Sequence, residues 1–190
     1  MSAPMSTHIE ATRRRLSGKQ AETVDRLTKT AVEVLTRQGY AGTTMRLIAA
    51  EAGVGTATAY TYFSSKEHLI SEVYWRQLVA TPADLPDVDA ATRAVAVLRQ
   101  AAILMADEPA LAAAMSQALL GDDPDVAHLR LRIGGEIRSR LTEALGSENA
   151  EDLECLEMLY SGAMLQAGMG HLTYAEVADR LERSARRLLA

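Results

Sequence analysis

Apolar residues recur at helical spacing along most of this chain. Between Glu22 and Gln38, the side chains of Val24, Leu27, Ala31, Val34 and Leu35 fall on one face, and Gly39 closes the segment. A short apolar helix follows, containing Met45, Leu47, Ile48, Ala49 and Ala52. Thr44 is placed to cap its start, and Gly53, which can take the left-handed conformation, ends it. A tight Gly53-Val54-Gly55 corner leads into a third helix, Thr56 to Tyr62, too small and polar to be a core element. Ser64-Ser65-Lys66-Glu67 fits a capping box, so a fourth helix runs on through Leu69, Ile70, Val73, Tyr74 and Leu78.

The stretch Thr81-Pro82-Ala83-Asp84-Leu85-Pro86-Asp87 interrupts this pattern and marks a boundary. Beyond it the spacing predicts a fifth helix near Ala90 to Ala106 and a sixth near Pro109 to Leu120, with Pro109 in the first turn and Gly121 at the end. Asp123-Pro124 opens a seventh helix that reaches Leu145 before Gly146. Asn149 caps an eighth, Ala150 to Met169, and Thr173-Tyr174-Ala175-Glu176 is a capping box for a ninth that runs to the C-terminus. Residues 1–18 are polar and lack apolar periodicity, as expected of a flexible basic arm. The expected organisation is this arm, a helix-turn-helix unit over 19–65, and a ligand-binding and dimerisation unit over 66–190 whose first helix, 66–80, links the two.

Composition supports an all-α fold. Hydrophobic residues make up 48% of the 190-residue chain and aromatics only 4%, and strand-like runs of β-branched residues are missing. A single Cys155 excludes a disulfide framework and a cysteine-based zinc cluster within one chain, and the four histidines form no metal motif, so no metal or other cofactor is expected. With no apolar leader and no run of about 18 apolar residues, the chain reads as cytoplasmic, without membrane contact. Charge divides the chain: residues 1–80 hold 10 Lys/Arg against 7 Asp/Glu, residues 81–190 hold 10 against 18. The N-terminal part can therefore meet phosphate, while the acidic remainder is repelled by it.

The N-terminal part resembles the TetR family of bacterial transcriptional regulators. The resemblance rests on ordered residues across roughly 20–70: Gln38-Gly39-Tyr40, then Gly42-Thr43-Thr44-Met45-Arg46 with Ile48-Ala49, then Ala52-Gly53-Val54, then Thr58, Tyr60, Tyr62-Phe63 and Ser65-Lys66-Glu67. The remaining residues are similar only in their succession of helices, with a weak likeness to actinobacterial regulators of lipid or sterol catabolism. The resemblance implies a homodimer that places one recognition helix per subunit in the major groove of double-stranded operator DNA, at half-sites roughly 34 to 36 Å apart. It implies phosphate contacts by Thr44, Thr58, Tyr60, Tyr62 and Lys66, and base or groove contacts by Arg46, Thr56, Ala57 and Thr61. Gly55 and Thr56 stand where polar and basic residues are usual in the family, and Ala59 where a larger apolar one is usual. The recognition helix carries no Lys, Arg, Asn or Gln, so readout should depend on Arg46, the arginines of the N-terminal arm in a minor groove, methyl contacts and DNA shape.

A small-molecule effector pocket is implied among the C-terminal helices, with Trp75, Met105, Met115, Tyr160 and Met164 as candidate walls. These methionines also read as ordinary core. Leu156, Ala163 and Ala167 of the eighth helix, with Val177, Leu181 and Leu188 of the ninth, read as a core face in isolation and as the dimer interface by resemblance. Tyr60 and Tyr62 could instead complete the headpiece core, Cys155 reads as a small buried apolar residue, and His128 and His171 as surface residues. Gly134-Gly135, inside the seventh helix, would be a tolerated bend, a close backbone approach or a weak point. The sequence thus points to a ligand-responsive regulator, a repressor or an activator. The competing class, an enzyme or carrier on an α-bundle, lacks any nucleophile, paired-carboxylate or phosphate-loop pattern.

Overall fold

The computed structural model describes residues 18–83, 85, 87–146 and 149–190, and the basic arm that the sequence suggests lies outside them apart from Gly18. Among the described residues every regular element is a helix: α1 Gly18–Gly42, α2 Met45–Glu51, α3 Thr56–Tyr62, α4 Lys66–Ala80, α5 Ala90–Ile103, α6 Pro109–Leu119, α7 Pro124–Leu145, α8 Ala150–Gly168 and α9 Tyr174–Leu188. The all-α expectation holds.

Punctuation explains most boundaries. Gly39 breaks α1 with φ of 64° and leaves a short turn to Gly42. The Thr44 hydroxyl accepts from the Leu47 amide at 3.2 Å, and Asn149 and Thr173 cap α8 and α9 as expected, Thr173 with Glu176 in a reciprocal box. At α4 the capping box over Ser64 to Glu67 does not close: Ser65 is the N-cap, accepting from the His68 amide at 3.0 Å, while Glu67 takes the Tyr40 hydroxyl at 2.6 Å. Helix α5 ends at Ile103, three residues early, because tight turns at Ala106 and Glu108 replace the α-helical ladder. Helix α7 runs unbroken through Gly134 and Gly135, and a Cβ at either would meet nothing within 4 Å, so no neighbouring helix approaches them closely.

The helices enclose two hydrophobic cores. The smaller joins Val24, Leu27, Ala31 and Val34 of α1 to Ile48, Ala59, Tyr62 and Phe63, with Leu69 reaching in from α4. The larger gathers α5 to α9 around Ile70, Val73, Tyr74, Trp75 and Leu78 of α4, and takes Leu35 from α1. Helix α4 therefore belongs to both, and its middle is buried all round, including Ser71 and Glu72, the latter paired with Arg76 at 2.8 Å.

Candidate nucleic-acid interface and apolar groove

Helix α3 is seven residues long and is anchored by two side chains. Ala59 is fully buried and Tyr62 is 6% exposed, which turns Thr56, Ala57, Thr58 and Tyr60 outward, Tyr60 at 46% exposure. The small Ala59 is explained by this packing: it lets a short polar helix lie close on its neighbours. Thr61 is half-buried, its hydroxyl donating to the Ala57 carbonyl at 3.1 Å. Beside this face Thr44 and Arg46 are exposed at the start of α2. Because the Thr44 hydroxyl acts as acceptor in the cap, its own proton remains available to a phosphate.

The expected phosphate set divides. Thr44, Thr58 and Tyr60 are exposed, as are Arg46, Thr56 and Ala57, whereas Tyr62 is buried in the N-terminal core, the alternative that the sequence left open for both tyrosines. Lys66 is drawn toward the junction of α1 and α2. Its ammonium donates to the carbonyls of Tyr40 and Thr43 at 3.0 and 3.2 Å and lies 3.9 Å over the Tyr40 ring, leaving one of three N–H donors uncommitted by these bonds. Burial first, then the hydrogen bond to Glu67, pushes the Tyr40 phenol well up from its ordinary value.

On the other side of α4, the loop between α6 and α7 contacts its first turn. The hydroxyls of Ser64 and Ser65 both donate to Oδ2 of Asp123, at 2.7 and 2.5 Å, while Oδ1 accepts from the Asp125 amide and caps α7. Buried His68 accepts the Ser64 amide at Nδ1 and lies 3.6 Å from Asp125. Burial works against the Asp123 charge, but the bonds from Ser65 and Ser64 outweigh it and hold the carboxyl below its usual range. Sequence reasoning found the capping role of Asp123 and no sign of its serine partners, which lie 58 and 59 residues away.

An open apolar groove of about 680 Å³ runs between α6, α7 and α8, within the range of small-molecule sites. Leu119, Leu120, Leu131, Ile133 and Ile137 line it with Gly134 and Gly135, which leave it room, and Arg130 and the Arg138–Glu157 ion pair stand at its polar edge. Of the expected wall residues, Tyr160 and Met164 are here. Trp75, Met105 and Met115 are not: all three are packed in the C-terminal core, with the Arg132 guanidinium 4.4 Å over the Trp75 ring. The Tyr160 hydroxyl lies 3.1 Å from that of Tyr74.

Of the candidate interface residues, Leu156, Ala167, Val177 and Leu181 are buried within the single chain, Ala163 is half-buried and Leu188 is exposed, while Ala163, Val177 and Leu181 border an open depression between α8 and α9. Helix α8 has a second, outward stripe of Cys155, Met158, Gly162, Leu165 and Met169, with Met158 70% exposed. Cys155 lies on it, exposed and not buried. His128 and His171 are at the surface as expected. No group of residues suited to a metal ion occurs among the described residues, and no helix there is long and apolar enough to cross a membrane.

The family model described as bacterial regulatory proteins, tetR family, matches residues 27–73. An uncharacterized HTH-type transcriptional regulator of Mycobacterium tuberculosis is 44% identical over 179 residues, covering 92% of this chain and 83% of that protein. The HTH-type transcriptional repressor KstR of Rhodococcus jostii is 26% identical over 181 residues, 91% of this chain and 85% of its own. Among solved structures, a TetR transcriptional regulator from Rhodococcus sp. RHA1 superposes with a TM-score of 0.75 at 25% identity, covering 91% of this chain and 98% of that one.

Proposed function

Because the chain belongs to the TetR family of bacterial regulatory proteins, and so is a helix-turn-helix DNA-binding transcriptional regulator, we propose that it acts as a homodimeric repressor released from its operator by a small apolar effector. The observation that carries this reading is the pairing of two surfaces on one frame. A short helix with an outward polar face, Thr56, Ala57, Thr58 and Tyr60, is joined through α4 to an apolar groove large enough for a small molecule. Residues 19–65 serve as the headpiece and 66–190 as the effector and dimer unit. Thr44, Thr58, Tyr60 and the remaining donor of Lys66 grip phosphate, Arg46 reaches a base edge, and the α3 methyls pack on thymine methyls. Tyr62 supports the grip by holding α3 in place.

One α3 spans too few base pairs for selectivity, so two copies are needed, joined through the outward stripe of α8 around Met158, Leu165 and Met169. Repression as the direction of control is supported by the likeness to a relative named as a repressor. The test is duplex selection from a random pool followed by titration at several salt concentrations. Selective, salt-dependent binding by a dimer is expected, with Arg46→Ala relaxing preference at one position per half-site. If Arg46→Ala weakens all duplexes equally, Arg46 is a phosphate contact; if no duplex is selected at any salt concentration, the regulator reading fails. Met158→Asp should shift the protein toward monomer in sedimentation and reduce affinity for paired half-sites.

A further inference from the structure

We propose that Asp123 is the positioning residue that fixes the orientation of the headpiece on the C-terminal body. The inference rests on the paired half-site reading above. Its basis is that one carboxylate serves two helices that are far apart in sequence. Oδ1 caps α7 through the Asp125 amide, and Oδ2 takes both Ser64 and Ser65, so the first turn of α7 and the start of α4 share a single anion. Ser65 is itself the N-cap of α4, its oxygen accepting from His68 while its proton goes to Asp123. The next residue, Lys66, holds the carbonyls of Tyr40 and Thr43 immediately before α2.

The loop that carries Asp123 is tied to the groove. Arg130, on the groove edge, donates to the carbonyls of Leu119 and Gly121 at 2.6 and 3.1 Å, and Leu119 and Leu120 are groove walls. Gly121 lies so close to α4 that a Cβ there would be 3.6 Å from Glu67 Cγ and 3.1 Å from the Ala118 carbonyl. The loop is thus held at its α6 end by Arg130 and at its α7 end by the Asp123 cap, which also takes the serines at the start of α4.

A dimer selects half-site spacing only if each headpiece is held rigidly, because a mobile one must be ordered on binding. Asp123→Asn is the informative variant. Asparagine caps a helix as well as aspartate does, so α7 keeps its start, while the amide nitrogen facing the serines can no longer accept their protons. Using the full-length protein and a selected duplex, the expected result is a fall of about tenfold in affinity for paired half-sites, consistent with the ordering cost of a freed headpiece. Binding to a single half-site should be unchanged. Duplexes with one base pair added or removed between half-sites, a shift of about 3.4 Å, should bind nearly as well as the original.

A purely structural role would lower the melting temperature without altering spacing preference. An unchanged spacing preference in folded Asp123→Asn overturns the proposal. If that variant does not fold, Ser64→Ala, which leaves both helix caps in place, should broaden spacing tolerance in the same direction, and unchanged tolerance overturns the proposal. Hydrogen exchange gives a reading that needs no DNA. Amides of the first turn of α4 should exchange faster in Asp123→Asn while those of α8 and α9 do not, and unchanged exchange counts against the proposal. Failure of the wild-type chain to bind any duplex would overturn the regulator reading but leave this exchange result standing.

Discussion

The two cores of this molecule differ in how they are gathered. The N-terminal core draws its side chains from one continuous stretch, Val24 to Leu69, while the C-terminal core collects them from Leu35 to Ala185. A local core closes over short loops with few contacts and holds a small surface rigidly, here the exposed face of α3 with Thr56, Ala57, Thr58 and Tyr60. A core assembled from distant segments can leave an imperfect seam between helices, and the groove between α6, α7 and α8 is such a seam. The comparison teaches that the helix-turn-helix is built on the local unit and the apolar groove on the distributed one, with α4 common to both.

The largest test of that division is Phe63→Ala. Phe63 is fully buried in the smaller core, and its removal should cost about 3 to 5 kcal/mol. If the cores are separable, α1 to α3 should lose exchange protection and duplex binding while α5 to α9 keep a cooperative melt. A single transition that moves as a whole would mean that α4 welds the cores into one unit. Next in size is Gly168, where α8 meets α6: an added Cβ would lie 1.8 Å from the Ser116 Oγ and 2.3 Å from its Cβ. Gly168→Ala should destabilise the C-terminal core by about 1 to 3 kcal/mol, as overpacking does, and Ser116→Gly should relieve much of it. Equal loss with and without the second change would place the strain elsewhere.

The same distributed core carries the alkaline response. Burial above all raises the phenols of Tyr74, Tyr160 and Tyr174, and Tyr40 is raised at the junction of the two cores. A raised phenol favours the folded, protonated form, so this contribution is intact below the unfolded value of about 10 and is lost as pH climbs past it toward the folded value. Phenolate absorbance should therefore appear in step with loss of helical circular dichroism above that pH. Phenolate forming well before unfolding would show that these tyrosines are reached by water in the native state.

The contrast between the cores also governs what could be read from sequence. The helix-turn-helix was legible because its stop at Gly53, its cap at Thr44 and its apolar spacing are all set by neighbours within a few residues. The capping box over Ser64 to Glu67 does not close, because Glu67 is taken by the Tyr40 hydroxyl from a different part of the chain. In α8 the inward residues Leu153, Leu156 and Tyr160 and the outward residues Met158, Leu165 and Met169 both follow helical spacing, so periodicity alone could not say which stripe faces solvent. The groove walls were half missed for the same reason. Met105 and Met115 resemble Met164 in sequence, and only packing separates core from groove.

The smallest expected effect sharpens the reading of the N-terminal unit, because Thr44 is both a helix cap and a candidate phosphate donor. Thr44→Ala removes both roles and should lower stability by about 1 kcal/mol along with duplex affinity. Thr44→Asp separates them. Aspartate caps at least as well as threonine, and its charge suits the N-terminus of α2, so the melting temperature should stay close to that of the wild type. The same carboxylate cannot donate to a phosphate and repels it, so duplex affinity should fall below that of Thr44→Ala, with the difference shrinking as salt is raised. If Thr44→Asp binds duplex as well as the wild type, the hydroxyl serves the helix alone, and the exposed grip narrows to Thr58, Tyr60 and Lys66.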